Sequence, residues 1–247
     1  MTCLTGFHAM EEWIKAGRPV IALLVAKPGP RSRELVDLAQ SRKIRIERVG
    51  THELDSLARD HRGVALQIEG GESGGEMTVE LFLEKLGERK DALVLLLDEI
   101  TDPHNYGAIL RSADQFGVDL VISRNRRNAK HADVIAKTSS GAVSWVPQAE
   151  TANLVRTAGQ LKDAGFWIYG ADMKGESAYK LDLGGRTALI LGSEGTGLSR
   201  LLREHCDGFA ALPSLGRLDS LNVSVAAGTL LYEVCRQREQ RRETSAS

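Results

Sequence analysis

Residues 187–202 read TALILGSEGTGLSRLL. A short apolar run ends in a turn carrying Gly192, Gly195 and Gly197 within six positions, and a helical pattern follows. Four other segments read the same way: ALVLLLD from Ala92, VDLVIS from Val118, FWIYGA from Phe166 and GFAALP from Gly208. Strands that are apolar throughout and spaced by helices predict a parallel sheet covered on both faces. Ligands bind such sheets outside the carboxyl ends of the strands. Three of those ends carry unusual residues: DEITDPHN after ALVLLL, GSEGTG after TALIL, and PSLGRLDSLN after GFAAL. Function is expected where they converge.

The glycine turn raises a question of chemistry. A phosphate-binding loop offers backbone N–H groups and normally a Lys, because its ligand is an anion. GSEGTGLS has no such Lys and places Glu194 at its centre. It fits neither GxxxxGK[ST] nor GxGxxG, which argues against an NTPase and a dinucleotide enzyme. A neutral or cationic ligand that tolerates close backbone approach suits it better, and S-adenosylmethionine is of that kind. The structural alternative is that Glu194 caps a helix beginning near Leu198, where an acid is favoured by the helix dipole.

Upstream, the first seventy residues alternate helix and strand. GFHAMEEWIKAG predicts a helix, VIALLVAK a strand, RSRELVDLAQSRK an amphipathic helix, IRIERVG a strand, Thr51 the cap of a short helix, and HRGVALQIE a strand. This α/β unit ends at EGGESGGE, where four glycines in six positions predict a flexible joint. The expected domains are therefore 1–75, a linker and leading helix at 76–90, and 91–247.

Composition, at 42% hydrophobic and 26% charged with a net charge of −1, is that of a globular protein without nucleic-acid bias overall. Its distribution is less even. Arg18 to Arg48 holds eight Lys/Arg against three acids, and RNRRNAKHADVIAK from Arg124 holds five against Asp133. Such patches are candidate phosphate tracks. The apolar runs are too short for a membrane span. The start, MTCLTGFHAMEEW, lacks the pattern of a signal peptide. Three widely spaced cysteines predict neither a disulfide framework nor zinc, so no metal is expected and a cytoplasmic setting fits.

DPHNYGAILRSADQFG (102–117), LGSEGTGLS (191–199) and LPSLGRLDSLNVSVAAG (212–228) together resemble, in order and spacing, the three motifs of the SpoU-type, or TrmH-family, RNA 2′-O-methyltransferases. GFHAMEEW and HRGV resemble signatures of the small RNA-binding domain in 23S rRNA guanosine methyltransferases of the RlmB type. Ser214 departs from the pattern, since many members have Met there. The resemblance implies an α/β protein: a C-terminal, trefoil-knotted, parallel-sheet methyltransferase domain (SPOUT-type) behind a small N-terminal α/β RNA-binding domain. It implies S-adenosylmethionine as cofactor, held by the backbone at Gly192, Leu212 and Leu221, and a homodimer packed through the last helix.

The same resemblance implies catalytic roles for Asn105, Arg111, Glu194, Ser220 and Asn222. A guanidinium only donates hydrogen bonds, so Arg111 suits a phosphate clamp beside the target ribose better than a general base. Proton removal is left to Glu194, the phosphate or a water. Asn105 and Asn222 would hold the ribose or orient Arg111, and Ser220 would donate near the methyl path. Read without the resemblance, Leu212 and Leu221 are core residues, Asn105 caps the helix YGAILRSA, and Ser220 caps the last helix. For RNA contact the expectation is the Arg18–Arg48 stretch together with Arg124, Arg126, Arg127 and Lys130. The expected substrate is a guanosine of 23S rRNA. The alternatives are a tRNA 2′-O-methyltransferase and a non-catalytic RNA-binding protein of the same fold.

Overall fold

A computed structural model describes residues 2–27, 29–58, 61–68, 77–124, 132–193, 195–217 and 220–246. The glycine joint at 69–76 therefore lies outside the described residues.

The N-terminal part runs β1 (Thr2–Leu4), α1 (Phe7–Lys15), β2 (Ala22–Val25), α2 (Pro30–Ser41), β3 (Ile46–Arg48), α3 (Thr51–Leu57) and β4 (Val64–Ile68). Its sheet has the order β1-β4-β2-β3, with β2 parallel to β3 and β4 antiparallel to both neighbours. Leu23, Val25, Val64 and Leu66 point to the face covered by α1 and α2, and Ala22, Leu24 and Ala65 to the face holding Leu54 of α3. The alternating side chains of each strand thus serve two cores. Gly50, not Thr51, occupies the cap position of α3, and Thr51 is its first helical residue.

The second part continues with α4 (Val79–Leu86), β5 (Ala92–Leu97), α5 (Pro103–Gln115), β6 (Leu120–Arg124), α6 (Ala132–Thr138), β7 (Gln148–Thr151), α7 (Leu154–Asp163), β8 (Trp167–Ser177), β9 (Arg186–Leu191), α8 (Arg200–His205), β10 (Gly208–Ala211) and α9 (Val223–Ala246). Six strands form one sheet in the order β10-β8-β9-β5-β6-β7, every pairing parallel. All six residues of β5 are buried. Leu93, Leu95 and Leu97 face α5, α6 and α9, whereas Ala92, Val94 and Leu96 face α4, α7 and α8. This two-sided cover is why these strands read as unbroken apolar runs.

Strand order reverses between β5 and β9. β5 leads outward to β6 and β7, and the chain then crosses to β8 before placing β9 back beside β5. Such a switch point leaves a crevice between loops that diverge to opposite faces. Among the described residues, no helix is long and apolar enough to cross a membrane.

Candidate active site

Two backbone-directed bonds bring the first two strand ends together. The Asp98 amide donates to Leu191 O at 2.9 Å, and Ser199 N donates to Asp98 Oδ2 at 3.0 Å. Asp98 is 2% exposed, and its Oδ1 has no hydrogen-bond partner among the described residues. Arg124 Nη2 stands 3.8 Å from that oxygen, and Arg124 Nη1 lies 3.8 Å from Glu99 Oε1. Glu99 itself holds φ at 59°, a left-handed conformation in which a side chain is strained. Asp98 was not singled out in the sequence, although an acid directly after six apolar residues is a readable signal.

Between β9 and α8 the chain folds tightly on itself. Ser193 and Gly197 form an isolated antiparallel bridge, with Gly197 N donating to Ser193 O at 3.0 Å. Gly195 and Gly197 take φ of 93° and 68°, which L side chains rarely adopt. A Cβ on Gly192 would press into the Gly197 carbonyl and lie 2.6 Å from Leu198 N. Close backbone approach is thus met here within the loop itself. Glu194 lies outside the described residues. The cap position of α8 is Ser199, whose side chain makes no capping hydrogen bond.

The third strand end returns to the first. From β10 the chain passes Leu212, which is partly buried against the α5–α9 core, and the exposed residues Ser214 to Arg217. Asn222 Nδ2 then donates to Asn105 Oδ1 at 2.9 Å. Asn222 also caps α9: its Oδ1 accepts from Ser224 N at 2.9 Å and Ser224 Oγ at 2.6 Å. Ser220 is exposed and two residues too early for that position. Likewise α5 is capped by Asp102, which accepts from the amides of His104 and Asn105, with Pro103 opening the helix. Asn105 therefore sits in the first turn of α5, free of the capping role.

Leu221 is 52% exposed, so core packing does not account for it; Leu212 is only partly a core residue. Arg111 is exposed on α5, the helix that also carries Asn105. α5 and α9 run alongside each other from the Asn105–Asn222 bond, past Ser112 against Gly228, to the edge-to-face pair Phe116–Tyr232 with ring centroids 6.2 Å apart. Five of the sequence-selected residues (Asn105, Gly192, Leu212, Leu221 and Asn222) thus lie on segments drawn together by these bonds, with Arg111 on the same helix as Asn105. An open recess of about 610 Å³ lies elsewhere, between residues 179–182 and the C-terminal half of α9. It touches none of these residues.

Of the expected RNA contacts, Arg124 is described and faces Asp98 and Glu99; Arg126, Arg127 and Lys130 lie outside the described residues. In the N-terminal stretch Lys27, Arg31, Arg33, Arg42, Lys43, Arg45 and Arg48 are exposed. Arg18 is the exception, its guanidinium bound to Asp114.

Residues 92–232 match the SpoU rRNA Methylase family, and residues 3–73 match the family described as RNA 2′-O ribose methyltransferase substrate binding. The chain belongs to the SpoU rRNA methylase family. It is similar to an uncharacterized tRNA/rRNA methyltransferase of Borreliella burgdorferi, 42% identical over 85% of this chain and 96% of the other. A Staphylococcus aureus protein assigned to the TrmH family of tRNA/rRNA methyltransferases is 38% identical over 96% of both chains. Among solved structures, the SpoU methyltransferase AviRb from Streptomyces viridochromogenes, in complex with AdoMet, superposes with a TM-score of 0.62 at 24% identity, covering 96% of this chain and 90% of that one. The chain is thus, at the level of the family, an RNA 2′-O-ribose methyltransferase, with a parallel-sheet methyltransferase fold behind a substrate-binding unit.

Proposed function

We propose that this SpoU-family chain transfers a methyl group from S-adenosylmethionine to the ribose 2′-hydroxyl of a guanosine in 23S rRNA, acting in the cytoplasm as a two-fold homodimer. The carrying observation is the meeting of three strand ends through Asp98–Leu191, Asp98–Ser199 and Asn105–Asn222, on the helix that presents Arg111. We assign residues 1–75 to substrate RNA, 76–90 to the connection and 91–247 to methyl transfer. The C-terminal part of this domain is read as the knotted segment. Its support is that β9 lies between β8 and β5 while the chain returns from β10, at the sheet edge, to Asn105 of α5.

The residues present fit the donor. The turn around Gly192 and Gly197 is tight, its sequence carries no phosphate Lys, and Leu221, next to Asn222 in the chain, and residues 214–217 are exposed. Gly192, Leu212 and Leu221 would hold the cofactor by main-chain atoms. When bound, S-adenosylmethionine supplies a methyl group on a cationic sulfonium, a good leaving group. This chain must then place the acceptor. Arg111 clamps the phosphate beside the target ribose by paired N–H donors, which also favours the developing alkoxide. Asn105 and Asn222, already locked to each other, hold the sugar in line, and Ser220 donates near the methyl path. The chain would hold the 2′-hydroxyl so that its oxygen takes the methyl as the donor's S–C bond breaks to leave a neutral thioether, the hydroxyl proton passing to Glu194, the RNA phosphate or a water. Fixing that alignment is worth up to roughly 7–11 kcal/mol in favourable cases.

The dimer reading is supported by Val225 and Tyr232, 53% and 57% exposed on one face of α9, since a symmetric pairing buries such a face. The test of the substrate is to map ribose methylation across total RNA from cells with and without the gene. Loss of one guanosine methylation in 23S rRNA is the expected result. Loss of a tRNA site would transfer the activity to tRNA, and an unchanged map would refute the proposal.

A further inference from the structure

Among the described residues, the two halves of the chain meet at a polar–aromatic joint. Arg18, just after α1, lies with its guanidinium carbon 5.0 Å from the Trp13 ring centroid and 4.8 Å from that of Trp145. Its Nη2 donates to both carboxylate oxygens of Asp114, at 3.0 and 3.2 Å. Trp145 Nε1 donates to Asp114 Oδ1 at 2.7 Å, and the two indoles meet edge to face at 5.4 Å. Trp145 packs against the core of the large sheet and that of the small one. Beneath them Gly141 has φ of 86°, and a Cβ there would lie 2.9 Å from Ala9 Cα and 3.0 Å from the Trp145 ring. α1 is therefore seated on the backbone of the second half.

Asp114 lies one turn beyond Arg111 on α5. Arg18 is withdrawn from the basic stretch that otherwise faces outward, its guanidinium held by Asp114. The geometry points to Arg18 as a positioning residue: by binding Asp114 between two indoles it sets the substrate-binding half at a fixed distance and angle from Arg111. RNA held by the first half then delivers its ribose to the second. This rests on the function proposed above. The glycine-rich connection in the sequence keeps the halves near each other, while the joint supplies orientation. Misplacement by about 1 Å can cost on the order of a hundredfold in rate.

The experiment uses the full chain with labelled S-adenosylmethionine and total RNA from cells lacking the gene, which holds the natural target whatever it is. Arg18→Ala, Asp114→Ala and the swap Arg18→Asp with Asp114→Arg are compared with the unaltered protein. Donor affinity comes from calorimetry and the separation of the halves from small-angle X-ray scattering. We expect both single variants to widen the molecule, keep donor affinity within twofold, and lower kcat/KM for RNA by about ten- to a hundredfold, with the swap recovering part of it. Gly141→Val, which wedges α1 away while both charged side chains are retained in the sequence, should repeat the loss. Should the single variants separate the halves while kcat/KM stays level, or leave the halves docked, the role is wrong. If the unaltered protein methylates no RNA at all, the proposed function fails and takes this role with it.

Discussion

The role proposed for Arg111 rests on what surrounds it. Asn105 is released from helix capping by Asp102 and tied to Asn222, which is itself locked as the cap of α9. Two amides are thereby fixed at the base of the helix that presents the guanidinium, and fixed dipoles act without reorganising during reaction. Replacing Arg111 by Ala should lower turnover by about two orders of magnitude or more while calorimetry finds donor affinity unchanged. Loss of donor binding instead would show that Arg111 belongs to the cofactor site. A second residue-scale expectation concerns Cys206, whose thiol is pushed up to about 11, chiefly by burial. The thiolate is the reactive form, so at pH 8 only about one molecule in a thousand carries it. Alkylation of Cys206 in the folded protein should be very slow and should rise roughly tenfold per pH unit up to that value, as followed by mass spectrometry. Rapid labelling at pH 8 would mean that the α8 region opens readily.

At the scale of elements, the loop between β9 and α8 has no spare room. Gly192→Ala places a methyl against the Gly197 carbonyl and Leu198 N, and backbone cannot give way as a flexible side chain can. The loop must open. Donor affinity should fall at least tenfold by calorimetry, while the thermal midpoint drops by only a few degrees; an unchanged affinity would remove this loop from the cofactor site. The five apolar strands were legible because a doubly covered parallel sheet writes itself as unbroken hydrophobic runs. β7, which reads QAET at the sheet edge, and the three-residue β1 carry no such run and escaped notice. Caps were harder to place. Thr51, Asn105 and Ser220 are all good capping types, but Gly50, Asp102 and Asn222 take those positions, because a cap is fixed by where the backbone turns.

For the whole molecule, the candidate site was legible to the extent that its residues lie within motifs. The three strand ends could be read, and the structure joins them. The joint of Trp13, Arg18, Asp114 and Trp145 could not be read, since its members span more than a hundred positions and none is unusual alone. Arg18 thus passed as one more surface cation. The remaining basic residues of 27–48 stand exposed, and if about six of them meet phosphates, RNA affinity should fall by about 10³ or more between about 50 and 200 mM salt. Affinity that stays level across that range would leave the patch as ordinary solvated surface.

The most direct measurement is a crystal structure of the protein soaked with S-adenosylmethionine. The donor is expected bent against the main chain of 192–199 and 212–221, its methyl directed toward the space between Arg111 and the Asn105–Asn222 pair. Finding the donor lodged elsewhere, with that crevice empty, would contradict the account.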